Sequence, residues 1–97
     1  MSSIIKQAIE RRTKLRLYHD GKSFIAEPYA FGIDVNGVPL LLCFQTDGLD
    51  MHEKRDSWRV IALADLMSIE PVNVACGQVR ADYVRNHPAF HTVLVQV

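Results

Sequence analysis

The chain has 97 residues, 48% of them apolar and 23% charged, with eleven basic residues set against eleven acidic ones. That is enough for one domain with a real core and too little for two. A formal net charge of zero excludes a surface that is basic throughout, as a general nucleic-acid glove would be, but it leaves room for a local basic patch and eases self-association.

Ser2 and Ser3 can cap a helix, and Ile4, Ile5, Ala8 and Ile9 then fall on one face at helical spacing. Arg11 and Arg12 suit the negative end of the helix dipole, and Glu10 to Lys14 is a favourable pair one turn apart. The spacing predicts a helix over residues 3–12, too short to persist without packing its apolar face on something else. The start turns polar too soon for a secretory signal. The longest apolar run, Val38 to Phe44, is about a third of a bilayer span. Cys43 and Cys76 lie far apart with no Cys-x-x-Cys pair. These features point to packing thiols in a reduced, cytoplasmic protein with no membrane segment.

From Leu15 the period changes to two. Leu15, Leu17 and His19 point one way, Arg16 and Tyr18 the other. Asp20-Gly21 supplies the positive φ angles of a two-residue hairpin, and residues 23–27 return. Pro28 has no N–H for a ladder and predicts a strand edge or a break. Tyr29, Phe31, Ile33 and Val35 alternate with small residues, as in a strand that bends tightly. Asn36-Gly37 is a second hairpin signal. Val38 to Phe44 shows no alternation, so both faces of that strand should be covered, one by the core and the other by the helix or a second subunit.

Residues 45–56 read as a polar loop, residues 57–63 as a strand, Ala64-Asp65-Leu66 as a tight turn, and residues 67–74 as a strand with Pro71 near an edge. Val79 and Tyr83 share a face of a predicted helix over residues 78–86, which Pro88 ends. Val93, Val95 and Val97 alternate as a last strand. This is a mainly β chain with a short N-terminal helix. A flat sheet of this size has bare edges and a bare face, so the expectation is a small antiparallel barrel of about five strands plugged by the helix.

The order of these elements resembles the WYL domain of bacterial regulators, an SH3/Sm-like small barrel with a short leading helix. The resemblance covers residues 4–72 of a single domain, 1–97, and leaves 77–97 as a C-terminal extension. It rests on an isoleucine-rich helix ending in basic residues, Ile5 to Arg12, and on the strand Lys14-Leu-Arg-Leu-Tyr18. It continues through Asp20-Gly21, Pro28 and Asn36-Gly37 to the arginine-led strand Arg59-Val-Ile-Ala-Leu-Ala-Asp-Leu66 and Met67-Ser-Ile-Glu-Pro71. Pro39-Leu40-Leu41 stands where the family has Trp-Tyr-Leu, and Ala62, Ala64 and Asp65 replace most of its later polar pattern. The resemblance implies an effector module for a nucleotide or a nucleic-acid end, with Arg59 as a ligand-facing arginine. Such modules usually follow a winged helix-turn-helix. None fits before the first helix here, so any role in transcription regulation would run through a DNA-binding protein partner.

Arg59 could grip phosphate or carboxylate through its planar fork. Arg16 and Tyr18 together suit a phosphate and a stacked base. Lys6, Arg11, Arg12 and Lys14 form a basic patch offset by Glu10; a solvated helix face is the plainer reading of it. His87 and His91 are four apart, but Pro88 interrupts any helix between them, and no metal site follows. His19 borders a hairpin and His52 a loop. Asp47, Asp50, Glu53 and Asp56 read as a solvated loop. Trp58, the only tryptophan, is a core or interface anchor. No catalytic residue and no cofactor is implied. The expected function is a non-enzymatic, ligand- or partner-binding regulatory module that takes a nucleotide or single-stranded nucleic acid. The alternative is a self-assembling structural or interaction protein without a small-molecule ligand. It is suggested by the unalternated strand, the zero net charge and the apolar tail, which together favour a homo-oligomer.

Overall fold

The computed structural model describes residues 2–48 and 57–97. Helix α1 (Ser2–Arg11) is followed by strands β1 (Thr13–His19), β2 (Lys22–Ile33), β3 (Pro39–Gly48) and β4 (Ser57–Ala62). A single 3-10 turn (Leu63–Asp65) leads into β5 (Leu66–Ala75), and the chain finishes with β6 (Thr92–Gln96). Arg12 ends the helix in a left-handed conformation, φ 54°, the place a helix usually gives to glycine. The chain can then turn at once into β1.

Asp20 and Gly21 both take positive φ, 54° and 74°, which makes the expected two-residue turn. The second turn differs from expectation. Asn36 does not enter the left-handed region; only Gly37 does, at φ 80°. The Gly37 N–H donates to the Asp34 carbonyl at 3.0 Å, and the Asp34 carboxylate accepts from the Asn36 and Val38 N–H groups at 2.8 and 2.9 Å. Asp34 offers the backbone a side-chain acceptor two residues early, and that local bond selects a wider loop.

The strands form one antiparallel sheet in the order β4-β3-β2-β1-β5, with β6 also paired to β2. On one edge β2 therefore has two partners in succession: β1 as far as Ala26 and β6 from Ala30 onward. Pro28 sits in the gap between them, where no N–H is needed. The break expected at Pro28 is a register shift in the β3 ladder between Pro28 and Ala30, and the strand runs through it. No ladder among the described residues joins β4 to β5, so the sheet is not closed. The bare surfaces that closure would have removed are covered in two other ways.

The inward face curls around α1. Ile5, Ala8 and Ile9 pack with Leu15, Leu17, Phe31, Leu41 and Cys43, and with Ile61 and Ile69 from the two outer strands. A helix of ten residues is held by this burial rather than by its own propensity. The outward face of β2 and β3 carries a second cluster of Tyr29, Ala30, Leu42, Phe44 and Phe90, flanked by Trp58 and Tyr83. Its cover is residues 76–91. The helix expected over 78–86 does not form: the segment holds only turns and bends, with Gly77 and Asn86 at positive φ. Its polar groups bond to the sheet beneath, which replaces the ladder of bonds a helix would supply.

The second cover of β3 is thus neither the helix nor another subunit. The tail likewise pairs with β2 of the same chain, Phe31 opposite Val95 and Gly32 opposite Val93. β3 also extends to Gly48, further than the predicted strand, and Gln45 within it is buried. The rest of the predicted loop, with His52 and the Asp50, Glu53 and Asp56 carboxylates, lies outside the described residues. No helix among the described residues is long and apolar enough to cross a membrane.

Gly32 lets β6 approach. A Cβ there would run into the Thr92 carbonyl and stand 2.8 Å from Phe90 Cδ1, and backbone cannot yield as a flexible side chain can. Gly32→Ala should cost about 2 kcal/mol or more of stability, read as a lowered urea midpoint. A midpoint equal to that of the parent chain would contradict the β2–β6 pairing.

Candidate functional site

The outward face of the sheet divides into a covered half and an open half. Over the covered half, Glu27 and Tyr29 of β2 are 3% and 0% exposed. A buried carboxylate must be paired or neutralised, and Arg80 from the covering segment supplies the partner. Its Nε donates to Glu27 Oε1 at 3.0 Å and its Nη2 to Oε2 at 3.3 Å. The same guanidinium lies 3.6 Å from the Phe44 ring centre, an electrostatically favourable stack.

Tyr29 ties the network together. Its hydroxyl donates to Glu27 Oε1 at 3.3 Å and accepts from the Arg80 backbone N–H at 3.0 Å. Arg12 lies over the ring, 4.8 Å from its centre. Trp58 meets Tyr29 and Phe44 edge-on at 4.8 and 5.1 Å and stacks near Tyr83 at 6.0 Å with 26° between planes. The Trp58 indole N–H donates to Asp82 Oδ2 at 2.8 Å. Burial pushes the Tyr83 hydroxyl above the usual tyrosine value, opposed by Arg85. The hydroxyl stays protonated and donates to the Val97 backbone oxygen at 3.0 Å.

The open half is the outward side of β1 and β5. Leu15 and Leu17 are buried, so Arg16 and Tyr18 face away from the core. Arg16 is exposed and stands opposite Glu70; Tyr18 is half-buried and stands opposite Ser68. Tyr18 borders a shallow cleft with Gly21, Met67, Ser68 and Glu70.

Arg59 is elsewhere. It pairs in register with Cys43, a residue of the inward cluster, so it shares that face. Its Nη1 donates to Gln45 Oε1 at 2.8 Å, and its guanidinium lies 5.0 Å from the Phe24 ring centre. It lines a small recess with His19, Asp20, Lys22 and Phe24. The structure therefore brings Arg16 and Tyr18 together and sets Arg59 on the opposite face.

Of the basic patch, Lys6 and Arg11 are exposed on α1 and Lys14 is half-buried at the start of β1. Arg12 is drawn in over Tyr29, and its Nη1 is buried with no partner among the described residues. His87 Nδ1 accepts the Ala89 N–H at 3.1 Å, and the His91 N–H donates to the Ile33 carbonyl. No group of three or more His, Cys, Asp or Glu among the described residues could hold a metal ion.

Sequence reasoning passed over Glu27, Arg80 and Asp82. Glu27 was detectable in principle as the acidic member of an apolar strand beside Tyr29. Nothing local points to Arg80, 53 positions away. No family model matches the chain, and no curated protein or solved structure matches it.

Arg80→Ala leaves the Glu27 carboxylate buried and unpaired. Because Arg80 itself is 33% exposed, the expected cost is about 2 kcal/mol, below the full value for a buried pair. Replacing both, Glu27→Leu with Arg80→Met, should recover most of that loss in urea unfolding. Equal losses in the single and double variants would remove the pair from its clamping role.

The thiols give a second expectation. Burial pushes Cys43 from 9.0 to about 12, and the nearby Arg59 opposes this only partly. Burial also raises Cys76, with Arg12 the largest opposing charge. In the native protein only the half-buried Cys76 should react with an alkylating reagent at pH 8, and both should react in denaturant. Since the unfolded Cys43 ionises first, its contribution to stability is complete below pH 9. It falls as pH rises from there toward 12, visible as a declining melting temperature. Two reactive native thiols would contradict the burial of β3.

Proposed function

We propose that the chain is a non-enzymatic regulatory binding module, built on the plan of a stand-alone WYL domain. It takes single-stranded nucleic acid or a nucleotide on the open face of β1. The observation that carries this reading is the division of the outward face. Tyr29, Phe44 and Trp58 are roofed by residues 76–91, whereas Lys14, Arg16 and Tyr18 follow one another outside that cluster, Arg16 exposed and the other two half-buried. Alternate residues on one side of a strand are about 6.8 Å apart, so two cations and a ring in file present an extended, regularly spaced row to a phosphate backbone. Arginine and lysine neutralise phosphates and tyrosine offers a stacking surface.

What supports an SH3/Sm-like reading is that Ile61 of β4 and Ile69 of β5 pack into the same cluster as the helix. In this reading the barrel is open on one side. A DNA-binding protein partner in the cytoplasm fits this reading where the module acts in transcription. The self-assembling alternative is less favoured: the chain itself covers both the unalternated strand and the apolar tail.

A short single-stranded oligonucleotide should raise the melting temperature at low salt, and the rise should shrink at higher salt. Arg16→Ala should weaken binding across sequences and reduce the salt slope by about 1; Tyr18→Ala should cost about 1–3 kcal/mol through lost stacking. Arg59→Ala should lower stability, by stripping the buried Gln45 of its partner, and leave oligonucleotide affinity unchanged. No shift with any oligonucleotide or nucleotide at low salt would dismiss the reading. Loss of binding only in Arg59→Ala would move the site to the other face.

A further inference from the structure

Where residues 76–91 cross β3 and β4, the cover does not close on the sheet. A cavity of about 230 Å³ remains, lined by Leu42, Trp58, Asp82, Tyr83, Val84 and His87. Leu42 is buried, Trp58, Tyr83 and His87 are half-buried, and Asp82 and Val84 are exposed. We propose that this cavity is a binding site for a small organic cation of the alkylammonium class.

Three features define that occupant. The first is charge. Asp82 is the only carboxylate among the six residues lining the cavity, and none of them is a lysine or an arginine. Among the described residues its one hydrogen bond comes from the Trp58 indole, which engages Oδ2 and fixes the carboxylate against the aromatic wall. Oδ1 is left for a ligand. Of the two arginines in residues 76–91, Arg80 is held by Glu27 and Arg85 donates to the Val97 backbone oxygen.

The second feature is the ring arrangement. Trp58 and Tyr83 stand 6.0 Å apart with only 26° between their planes, and Tyr29 props both, 4.8 Å from Trp58 and 4.7 Å from Tyr83. The rings are therefore rigid. Electron-rich aromatic faces next to a fixed carboxylate attract a weakly hydrated cation, as in the aromatic cages that recognise quaternary ammonium groups.

The third is the apolar remainder. The Leu42 and Val84 side chains have no polar atom to offer a hydrated metal ion or a sugar, but they can meet the methyl or methylene groups of an alkylated amine. An inorganic cation would find one carboxylate and, besides it, a Tyr83 hydroxyl already bonded to the Val97 oxygen, whereas such ions require several oxygen ligands. An anion would meet Asp82.

Trp58 is the sole tryptophan, so its fluorescence reports on this cavity alone. The full chain is titrated with tetramethylammonium chloride, with sodium chloride at matched ionic strength, and with tert-butanol as an uncharged body of similar size. Tetramethylammonium should give a saturable change in Trp58 emission and shift the Trp58 indole N–H resonance in NMR. Sodium should do neither, and tert-butanol should bind at least tenfold more weakly. Asp82→Asn keeps an oxygen acceptor for the indole and removes the charge, and it should weaken tetramethylammonium binding about tenfold. Tyr83→Leu, which removes a ring and keeps apolar bulk, should weaken it about threefold or more. A response shared with sodium chloride, tert-butanol binding of equal strength, or an Asp82→Asn titration matching the parent would each overturn the proposal. Thermal melts of both variants show whether they are folded. If one variant does not fold, the comparison of the three solutes on the parent chain still decides.

Discussion

β3 has to be dry on both sides. Leu41 and Cys43 point inward, Leu42 and Phe44 point outward, and all four are buried. A strand of this kind needs a layer on each face, yet the described chain has one helix, and α1 is fully engaged on the inward side. The outward cover therefore comes from a segment with no regular structure, residues 76–91. An irregular segment satisfies only part of its own backbone, here through the turns Tyr83 N–H to Arg80 O and Phe90 N–H to His87 O, so the remaining buried polar groups need partners outside it. Tyr29 provides much of this. Its hydroxyl accepts the Arg80 N–H, and its carbonyl accepts the Val97 N–H at 2.9 Å. The Cys76 N–H reaches the Arg12 carbonyl at 2.8 Å and the His91 N–H the Ile33 carbonyl at 2.8 Å. The cover is pinned at its start, middle and end.

Pinning by backbone bonds alone would not say which residue of the segment lands where. The Glu27–Arg80 pair does. A carboxylate that is 3% exposed is costly unless a cation meets it with good geometry, so sliding the segment by one residue leaves a buried charge without a partner. Bidentate bonding and the Phe44 ring beneath the guanidinium restrict that geometry further. The pair acts as a register mark, which is the best-attested use of buried ionic groups. Breaking one member is therefore a different matter from replacing both.

The parts of this fold written in nearest neighbours were legible. Helical spacing at Ile5, Ala8 and Ile9, the Asp20-Gly21 turn and the two-sided run after Val38 each follow from local rules, and each is present. Period two placed Arg16 and Tyr18 on one face, as found. Misreadings arose where a distant or competing partner decided the outcome. Asn36-Gly37 carries a hairpin signal, but the Asp34 carboxylate two residues earlier captures the same backbone. Val79 and Tyr83 have helical spacing, but Val79 is exposed and Tyr83 packs onto the outward cluster against Tyr29 and Trp58 rather than along a helix. Arg59 is legible as an arginine in a strand, but its face depends on alignment with Cys43, which only strand pairing fixes. The tail read as adhesive because its partner, β2, had already been given neighbours. The change of partner from β1 to β6 at Pro28 freed an edge that the sequence does not announce.

The same constraint explains why the molecule has a cavity where it does. Regular elements pack into each other's grooves and fill space to near-crystalline density. A strap held at chosen points over rigid rings cannot follow their contour everywhere. Between its pins at Arg80 and His91 it crosses Trp58 and contributes Tyr83, and both rings rest on Tyr29, which holds them from tilting to close the gap. The void that remains is bounded by aromatic faces because those are the groups that resisted collapse. It carries one carboxylate because Asp82 had to stay at the rim to accept the indole N–H. The cavity and its electrostatic character thus follow from the way β3 is covered. The uncovered row on β1 follows from where that cover stops.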